Sequence, residues 1–106
     1  MLTLNISKDI LKFFQDMEGD TLEEKIVRLL SRELTNLLRE CEDEIRGFEL
    51  KYKMTFEKFA EAWEKEEIPT KWSHPVERDY MVWEELEAER KEYLSRLKEI
   101  EDLLNG

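Results

Sequence analysis

The sequence predicts an all-α protein built on two long antiparallel amphipathic helices. Apolar residues recur at three- and four-residue steps through about 21–52 and again through about 75–104, which places them on one face of each helix. Only three glycines and two prolines interrupt the 106 residues. A chain of this length forms a single domain. We divide it into an N-terminal arm (1–20) and a helical hairpin (21–106).

The N-terminal arm is compatible with two structures. Apolar and polar residues alternate over 2–6, which is the period-two pattern of a short strand. Alternatively, Ser7 or Asp9 caps a short helix that continues through Met17. A lone strand cannot satisfy its own backbone, so a strand here would need a second chain.

The first long helix begins with a capping signal. Thr21 and Glu24 have the spacing of a capping box, in which each side chain accepts a hydrogen bond from the backbone of the other residue. Gly47 lies inside this helix, where glycine costs about 1 kcal/mol relative to alanine, and it is a candidate position for a kink. The apolar positions form one face: Leu22, Ile26, Leu29, Leu30, Leu34, Leu37, Leu38, Cys41, Ile45, Phe48 and Tyr52.

A short helix and a loop are expected between the two long helices. Thr55 is predicted to cap a helix over about 55–67, whose apolar residues occupy a single face. This helix must end before Pro69, because the residue before a proline is disfavoured in the α region. A loop follows, and Pro75 suits the first turn of the last helix, where its missing N–H costs nothing.

The last helix carries a heptad repeat. Seven of its nine seam positions are apolar, which is typical of a coiled-coil-like stripe. The two exceptions, Asp79 and Arg90, are expected either at an exposed edge or beside a partner side chain. The seam consists of Val76, Asp79, Trp83, Leu86, Arg90, Tyr93, Leu97, Ile100 and Leu104.

The chain is strongly acidic. It contains 27 Asp and Glu against 17 Lys and Arg, for a formal net charge of −10. This charge argues against nucleic acid and anionic membranes as partners, and it favours a basic protein partner. No apolar run approaches the roughly 20 residues that span a membrane, and no secretory signal is present, so we expect a cytoplasmic protein. Abundant glutamate with a single glutamine resembles the composition of thermophile proteins.

The sequence lacks a catalytic or cofactor motif, and we predict a protein that is not an enzyme and holds no cofactor or metal. One histidine, His74, and one cysteine, Cys41, do not make a zinc cluster of the usual kind. An acidic group on the last helix imitates the magnesium-binding glutamates of all-α nucleotide pyrophosphohydrolases. The same spacing is that of a solvated helix face, which we favour for Glu84, Glu85, Glu89 and Glu92.

Aromatic residues in the C-terminal half are the predicted partner-binding residues. Trp and Tyr dominate interface hot spots, although the same residues equally serve to build the core of a small domain. Trp72 lies in a loop between two prolines, so it is either a plug over the helix pair or an exposed anchor. The candidates are Trp63, Trp72, Trp83, Tyr80, Phe56 and Phe59.

Two segments resemble a family of small helical proteins. The segments FELKYKMTFEKF (48–59) and VERDYMVWE (76–84) are similar to the family patterns KYGM-T/S-F-EEF and VE-x-DY-x-x-W, and the similarity extends over roughly 21–97. Members are found beside genes for TumE-type toxins and are identified as the cognate antitoxins. The resemblance therefore implies a protein that wraps acidic amphipathic helices around a basic toxin.

The chain departs from this family at one position. Lys53 stands where the pattern has glycine, which would supply the left-handed turn that ends the long helix. Lysine makes that turn costlier or lets the helix run on to Met54. We expect several of the matching positions to hold the hairpin together without touching a toxin: Tyr52, Met54, Phe56, Phe59, Glu77, Asp79, Tyr80 and Trp83.

A second resemblance, to ribbon-helix-helix proteins, covers residues 2–38. Dimers of that fold pair their strands and insert outward strand residues into the DNA major groove. The corresponding residues here are Thr3 and Asn5, with Lys8 as the nearby positive charge. We favour the antitoxin over two alternatives, a homodimeric helical module that self-associates through its apolar stripe and a ribbon-helix-helix regulator. We also expect a homo-oligomer when the protein is alone.

Overall fold

The computed structural model describes residues 5–105 and confirms the all-α hairpin. The two long helices pack against each other in antiparallel directions, and a short helix covers one end, giving a molecule of 58 × 28 × 22 Å. Residues 5–105 contain no strand. The elements are α1 (Lys8–Leu11), a 3₁₀ turn (Lys12–Phe14), α2 (Leu22–Tyr52), α3 (Phe56–Glu64) and α4 (His74–Asn105).

The N-terminal arm contains a short helical turn. The Ser7 hydroxyl caps α1 by accepting a hydrogen bond from the Ile10 N–H at 3.3 Å. The predicted extension through Met17 is wrong, because α1 and the 3₁₀ turn bury no side chain and so lack the packing that sustains a short helix. Residues 2–4 of the predicted strand lie outside the described chain, and its last residues, 5 and 6, have no regular secondary structure.

Helix α2 matches its predicted bounds closely. The Thr21 hydroxyl accepts a hydrogen bond from the Glu24 N–H at 3.1 Å, and the Glu24 carboxylate accepts one from the Asp20 N–H at 3.1 Å. The helix runs through Gly47 without interruption and ends at Tyr52. It ends there because Lys53 adopts the left-handed conformation, with φ 57° and ψ 38°. The turn is therefore made at the expected position, by a residue poorly suited to it.

We predict that Lys53→Gly raises the free energy of unfolding by about 1 kcal/mol, because a left-handed conformation is strained in residues other than glycine. Thermal denaturation should show a melting temperature about 5 °C higher. The matched control is Lys91→Gly, on an exposed position inside α4, which should lower stability by about 1 kcal/mol. Destabilisation by both variants would contradict the left-handed turn at Lys53.

Helix α3 is shorter than predicted. It ends at Glu64, because Glu66 adopts a left-handed conformation with φ 55°. The Glu66 N–H donates to the Trp63 carbonyl and the Glu67 N–H donates to the Ala62 carbonyl, which together form a Schellman motif. The predicted end at 67 is therefore wrong. A Schellman motif normally contains glycine, and because no glycine occurs here, the sequence has no signal for the earlier end.

The fully buried side chains lie towards one end of the hairpin, which we call the closed end, where α3 and the loop 65–73 join α2 to α4. Phe59 and Trp83 have no exposed surface at all. The buried set is Cys41, Ile45, Phe59, Ile68, Trp83 and Leu86. Residues 22–38 and 93–105, which we call the distal half, contain no fully buried residue. No helix within 5–105 is long and apolar enough to cross a membrane.

Candidate protein-binding surfaces

Five of the six predicted aromatic residues form one packed cluster at the closed end. The Trp83 indole contacts Phe59 of α3 at 5.1 Å and Phe56 at 5.4 Å between ring centroids. Tyr80 of α4 contacts Trp63 of α3 at 4.6 Å. Aromatic pairs at such distances stabilise beyond the area they bury. The cluster therefore fastens α3 to α4, and Phe48 and Tyr52 of α2 complete it.

This packing corrects part of the predicted binding site. Phe59 and Trp83 expose no surface, so they cannot contact a partner in this structure. Phe56, Trp63 and Tyr80 are half-buried, with rings turned into the same cluster. The sequence carried the relevant signal for Trp83, because that residue occupies a heptad seam position whose other members are mostly apolar.

A hydrogen-bonded group crosses from α2 to α4 beside this cluster. One carboxylate oxygen of Asp79 accepts hydrogen bonds from the Lys51 ammonium and from the Tyr52 hydroxyl, each at 2.6 Å. Burial alone would raise the pKa of Asp79, but these two donors outweigh it and hold the pKa below its usual value. Burial, followed by the bond to Asp79, raises the pKa of Tyr52.

Both exceptions in the heptad seam therefore find partners. Asp79 pairs with α2, while the Arg90 guanidinium bonds to Glu87 on its own helix at 3.2 Å. The Arg90 Nε atom is buried and has no hydrogen-bond partner within residues 5–105.

Trp72 differs from the other five aromatic residues because 72% of its surface is exposed. It is therefore not a plug over the helix pair. The Lys71 ammonium lies 4.9 Å from the Trp72 ring centroid and 5.1 Å from that of Trp63. The same ammonium donates to the Trp63 carbonyl at 2.8 Å. Lys71 thus holds the exposed indole against the end of α3.

The loop that carries Trp72 is tied down at several points. Ile68 is buried, and the Ser73 N–H donates to the Thr70 carbonyl at 2.9 Å. Thr70 is left-handed, with φ 57°, so this loop and the end of α3 each contain a strained residue other than glycine. Such strain persists only where the surrounding contacts determine the backbone. Trp72 is therefore presented from a fixed backbone.

A second surface lies between α2 and α4 on the side away from α3. Two shallow grooves run along it, one including Leu30 and Ile100 and the other including Gly47 and Val82. Val82 is two residues from Tyr80, which contacts α3, and is therefore about 200° around α4 from it. We call this surface the open face. The residues that line the two grooves are Leu30, Glu33, Leu34, Glu44, Gly47, Phe48 and Lys51 of α2, and Val82, Leu86, Arg96, Glu99 and Ile100 of α4. By helical spacing, the same face also includes Ile26, Leu29, Leu37 and Glu40 of α2, and Glu85, Glu89 and Leu103 of α4.

The open face combines exposed leucines with glutamates that have no counter-ion. Leu29, Leu30 and Leu103 are 46%, 51% and 70% exposed. Nearer the closed end, burial raises the pKa of the Cys41 thiol, and the charges of Glu89 and Glu44 raise it further. Within residues 5–105, six glutamates of this face form no ion pair: Glu33, Glu40, Glu44, Glu85, Glu89 and Glu99.

The two basic side chains at the open face already have partners. The Arg96 guanidinium bonds to Glu92 at 3.0 Å, and the Lys51 ammonium bonds to Asp79 at 2.6 Å. The leucines of this face were expected from the sequence as part of the apolar face of α2, whereas the glutamates beside them were not. Glu33, Glu40 and Glu44 are seven and four residues apart, so they lie on one side of α2.

The remaining candidate residues do not gather into a site. The described chain brings together no group of three or more side chains that could hold a metal ion, Glu84, Glu85, Glu89 and Glu92 included. Asn5 and Lys8 are exposed on the N-terminal arm, and Thr3 lies outside the described residues.

No protein-family model, curated protein or solved structure matches this chain.

Proposed function

We propose that the protein is a protein-binding module that binds a basic protein through its open face and acts as an antitoxin in the cytoplasm. The proposed mechanism is steric and electrostatic. The acidic helices cover a basic surface that would otherwise hold nucleic-acid phosphates, and so block it. This role needs no catalytic group and no cofactor.

The observation that supports the proposal is the group of six glutamates without counter-ions on the same face as exposed leucines. Each leucine offers apolar area that becomes buried on binding, which supplies affinity. Each glutamate offers a charge that lysine or arginine on the partner can neutralise, which supplies specificity and faster association. A helix face that only contacts water would be expected to carry polar residues in place of these leucines.

Co-expression with the product of the adjacent reading frame, followed by size-exclusion chromatography with light scattering, tests the proposal. We expect a stoichiometric complex with a basic protein that is harmful when expressed alone. Because opposite charges attract less at high ionic strength, its affinity should fall as salt increases. Two proteins that elute separately at low salt would refute the proposal for that pair.

The triple variant Glu40→Gln, Glu44→Gln and Glu89→Gln should weaken this complex about tenfold, because each exposed ion pair contributes about 0.5 kcal/mol. Calorimetric titration against the wild-type protein measures the change. The matched control carries Glu42→Gln, Glu57→Gln and Glu84→Gln, which remove the same charge from exposed positions off the open face. If both triple variants weaken the complex equally, the effect is due to net charge alone, and the open face is excluded as the binding site.

Trp72 is the remaining aromatic candidate for direct contact. If it anchors the partner, Trp72→Ala should weaken the complex by about 30-fold, the effect of a typical hot-spot residue, while leaving the fold intact. Equal affinity for the variant and the wild-type protein would remove Trp72 from the interface. The open-face proposal would stand in either case.

A further inference from the structure

The distal half of the hairpin is incompletely packed. A pair of helices can bury only the stripe along which they touch, and a second layer must cover whatever apolar surface lies beside that stripe. At the closed end, α3 supplies this layer on one side. In the distal half, no described element covers the open face, and Leu29, Leu30 and Leu103 remain exposed there. This apolar row fits a helical surface of the same length.

A second copy of the chain, related to the first by a two-fold axis, provides such a surface. Within one copy, Leu30 and Leu34 lie level with Ile100 and Arg96, because all four line one groove. A two-fold axis parallel to the hairpin places α2 of one copy beside α4 of the other, again antiparallel and at the same level. Every neighbouring pair of helices in the resulting four-helix bundle is then antiparallel, and the two exposed leucine rows face each other.

The charges in the distal half complement each other in this arrangement. Glu33 has no ion pair within residues 5–105 and lines the same groove as Arg96, whose guanidinium bonds to Glu92 through Nε and leaves its two Nη atoms without a hydrogen bond in the described chain. Under the two-fold operation, Glu33 of each copy lies level with Arg96 of the second copy, so the contact is made twice. This self-complementarity favours a second copy over an unrelated apolar helix.

We propose that, in the absence of a partner, the distal half of the open face binds a second copy of the chain to form a four-helix bundle. The glutamates nearer the closed end repel their counterparts, which confines the contact to the distal half. Because the dimer and the basic partner use the same face, they compete. The competition rests on the proposed function, whereas the pairing stands without it.

The two kinds of binding should respond oppositely to salt. Each copy carries a net charge of −10, so screening reduces the repulsion between two copies and strengthens the dimer. Screening weakens the attraction between the open face and a basic protein. One pair of measurements at about 0.05 M and about 0.5 M NaCl therefore separates pairing from partner binding.

Sedimentation equilibrium of the full chain, up to about 100 µM protein, tests the pairing. We expect dimers that become tighter at high salt. Leu30→Glu should raise the dimer dissociation constant by about 30-fold or more, because it places a charge in the centre of the interface. The matched control is Leu50→Glu, on an even more exposed leucine that lies about 160° around α2 from Leu30 and outside the distal half, and it should leave the constant unchanged.

Specific outcomes would overturn the proposal. A wild-type protein that stays monomeric at both salt concentrations, or a Leu30→Glu variant that dimerises as tightly as Leu50→Glu, excludes the pairing. Circular dichroism of the two variants establishes that both remain helical, and at 51% exposure Leu30 is not needed to hold the monomer together.

The competition has its own readout. Added to the wild-type dimer, the product of the adjacent reading frame should yield a complex containing one copy of this chain. A complex that retains the intact dimer excludes the competition and leaves the pairing in place. A complex formed by a protein that never dimerises alone excludes the pairing and leaves the proposed function in place.

Discussion

Replacing Trp83 with alanine is expected to lower the free energy of unfolding by about 3–5 kcal/mol, the usual cost of emptying a buried aromatic site. Trp83 has no exposed surface, and its indole contacts rings from both α2 and α3. A domain of this size is commonly stable by only about 5–15 kcal/mol, so the variant should be substantially destabilised at room temperature. Urea denaturation followed by circular dichroism measures the loss.

The matched control for this variant is Trp72→Ala. It removes the same side chain from a position that is 72% exposed, so stability should change by no more than about 0.5 kcal/mol. Similar losses in both tryptophan variants would contradict the assignment of Trp83 to the core and of Trp72 to the surface. Binding assays on Trp72→Ala are therefore interpretable, whereas Trp83→Ala would lose binding through unfolding.

Replacing Asp79 with alanine is expected to lower stability by about 2 kcal/mol, since it removes charge-assisted hydrogen bonds and leaves the Tyr52 hydroxyl without its acceptor. The Asp79 side chain is only 17% exposed, so water replaces the lost acceptor poorly. Asp102→Ala, at an exposed position on the same helix, should change stability by less than about 0.5 kcal/mol. Equal effects of the two substitutions would refute the role assigned to Asp79.

The contribution of Asp79 should depend on pH. Its pKa is lower in the folded protein than the value of about 3.9 in an unfolded chain, so folding favours the ionised form. The stabilisation is therefore complete above about pH 5 and is lost as pH falls through the folded pKa. Measured from about pH 7 down to about pH 3, the difference between wild type and Asp79→Ala should shrink. A difference that stays constant over this range would exclude charge as its source.

The sequence was sufficient to predict the helices because their signals are local and repeated. Capping by Thr21 and the periodic apolar face of α2 act within a few residues of each other, and the structure confirms both. The end of α3 was not predictable in the same way. Its Schellman motif places Glu66 in a conformation that usually requires glycine, and tertiary contacts around Ile68 and Lys71 override that preference.

The candidate binding surfaces were harder to predict, because composition does not distinguish an exposed aromatic residue from a core residue. Tryptophan and tyrosine are enriched both in interface hot spots and in small cores. Only the three-dimensional packing separates Trp83, which is enclosed, from Trp72, which is exposed. The open face also required two helices to be placed side by side, because Glu44 and Glu89 are distant in sequence and become neighbours only through the hairpin.

The positions that match the antitoxin family confirm our expectation that several of them hold the hairpin together. Tyr52, Phe59 and Trp83 contact one another in the aromatic cluster, and Asp79 bonds to Tyr52. Met54, Phe56 and Tyr80 pack against the same core. These residues therefore hold the hairpin together.

The uneven burial along the hairpin also divides each long helix into two thermodynamic regions. Residues around Cys41 and Trp83 are held by the core, so we expect their backbone amides to exchange with solvent only when the whole domain opens. Amides near Leu22 and near Asn105 are expected to exchange through fraying of the distal half, at a much smaller free-energy cost. Each long helix thus has a stable region at the closed end and a less stable region in the distal half. A ligand that covers the labile end gains affinity only after offsetting the entropy of ordering it.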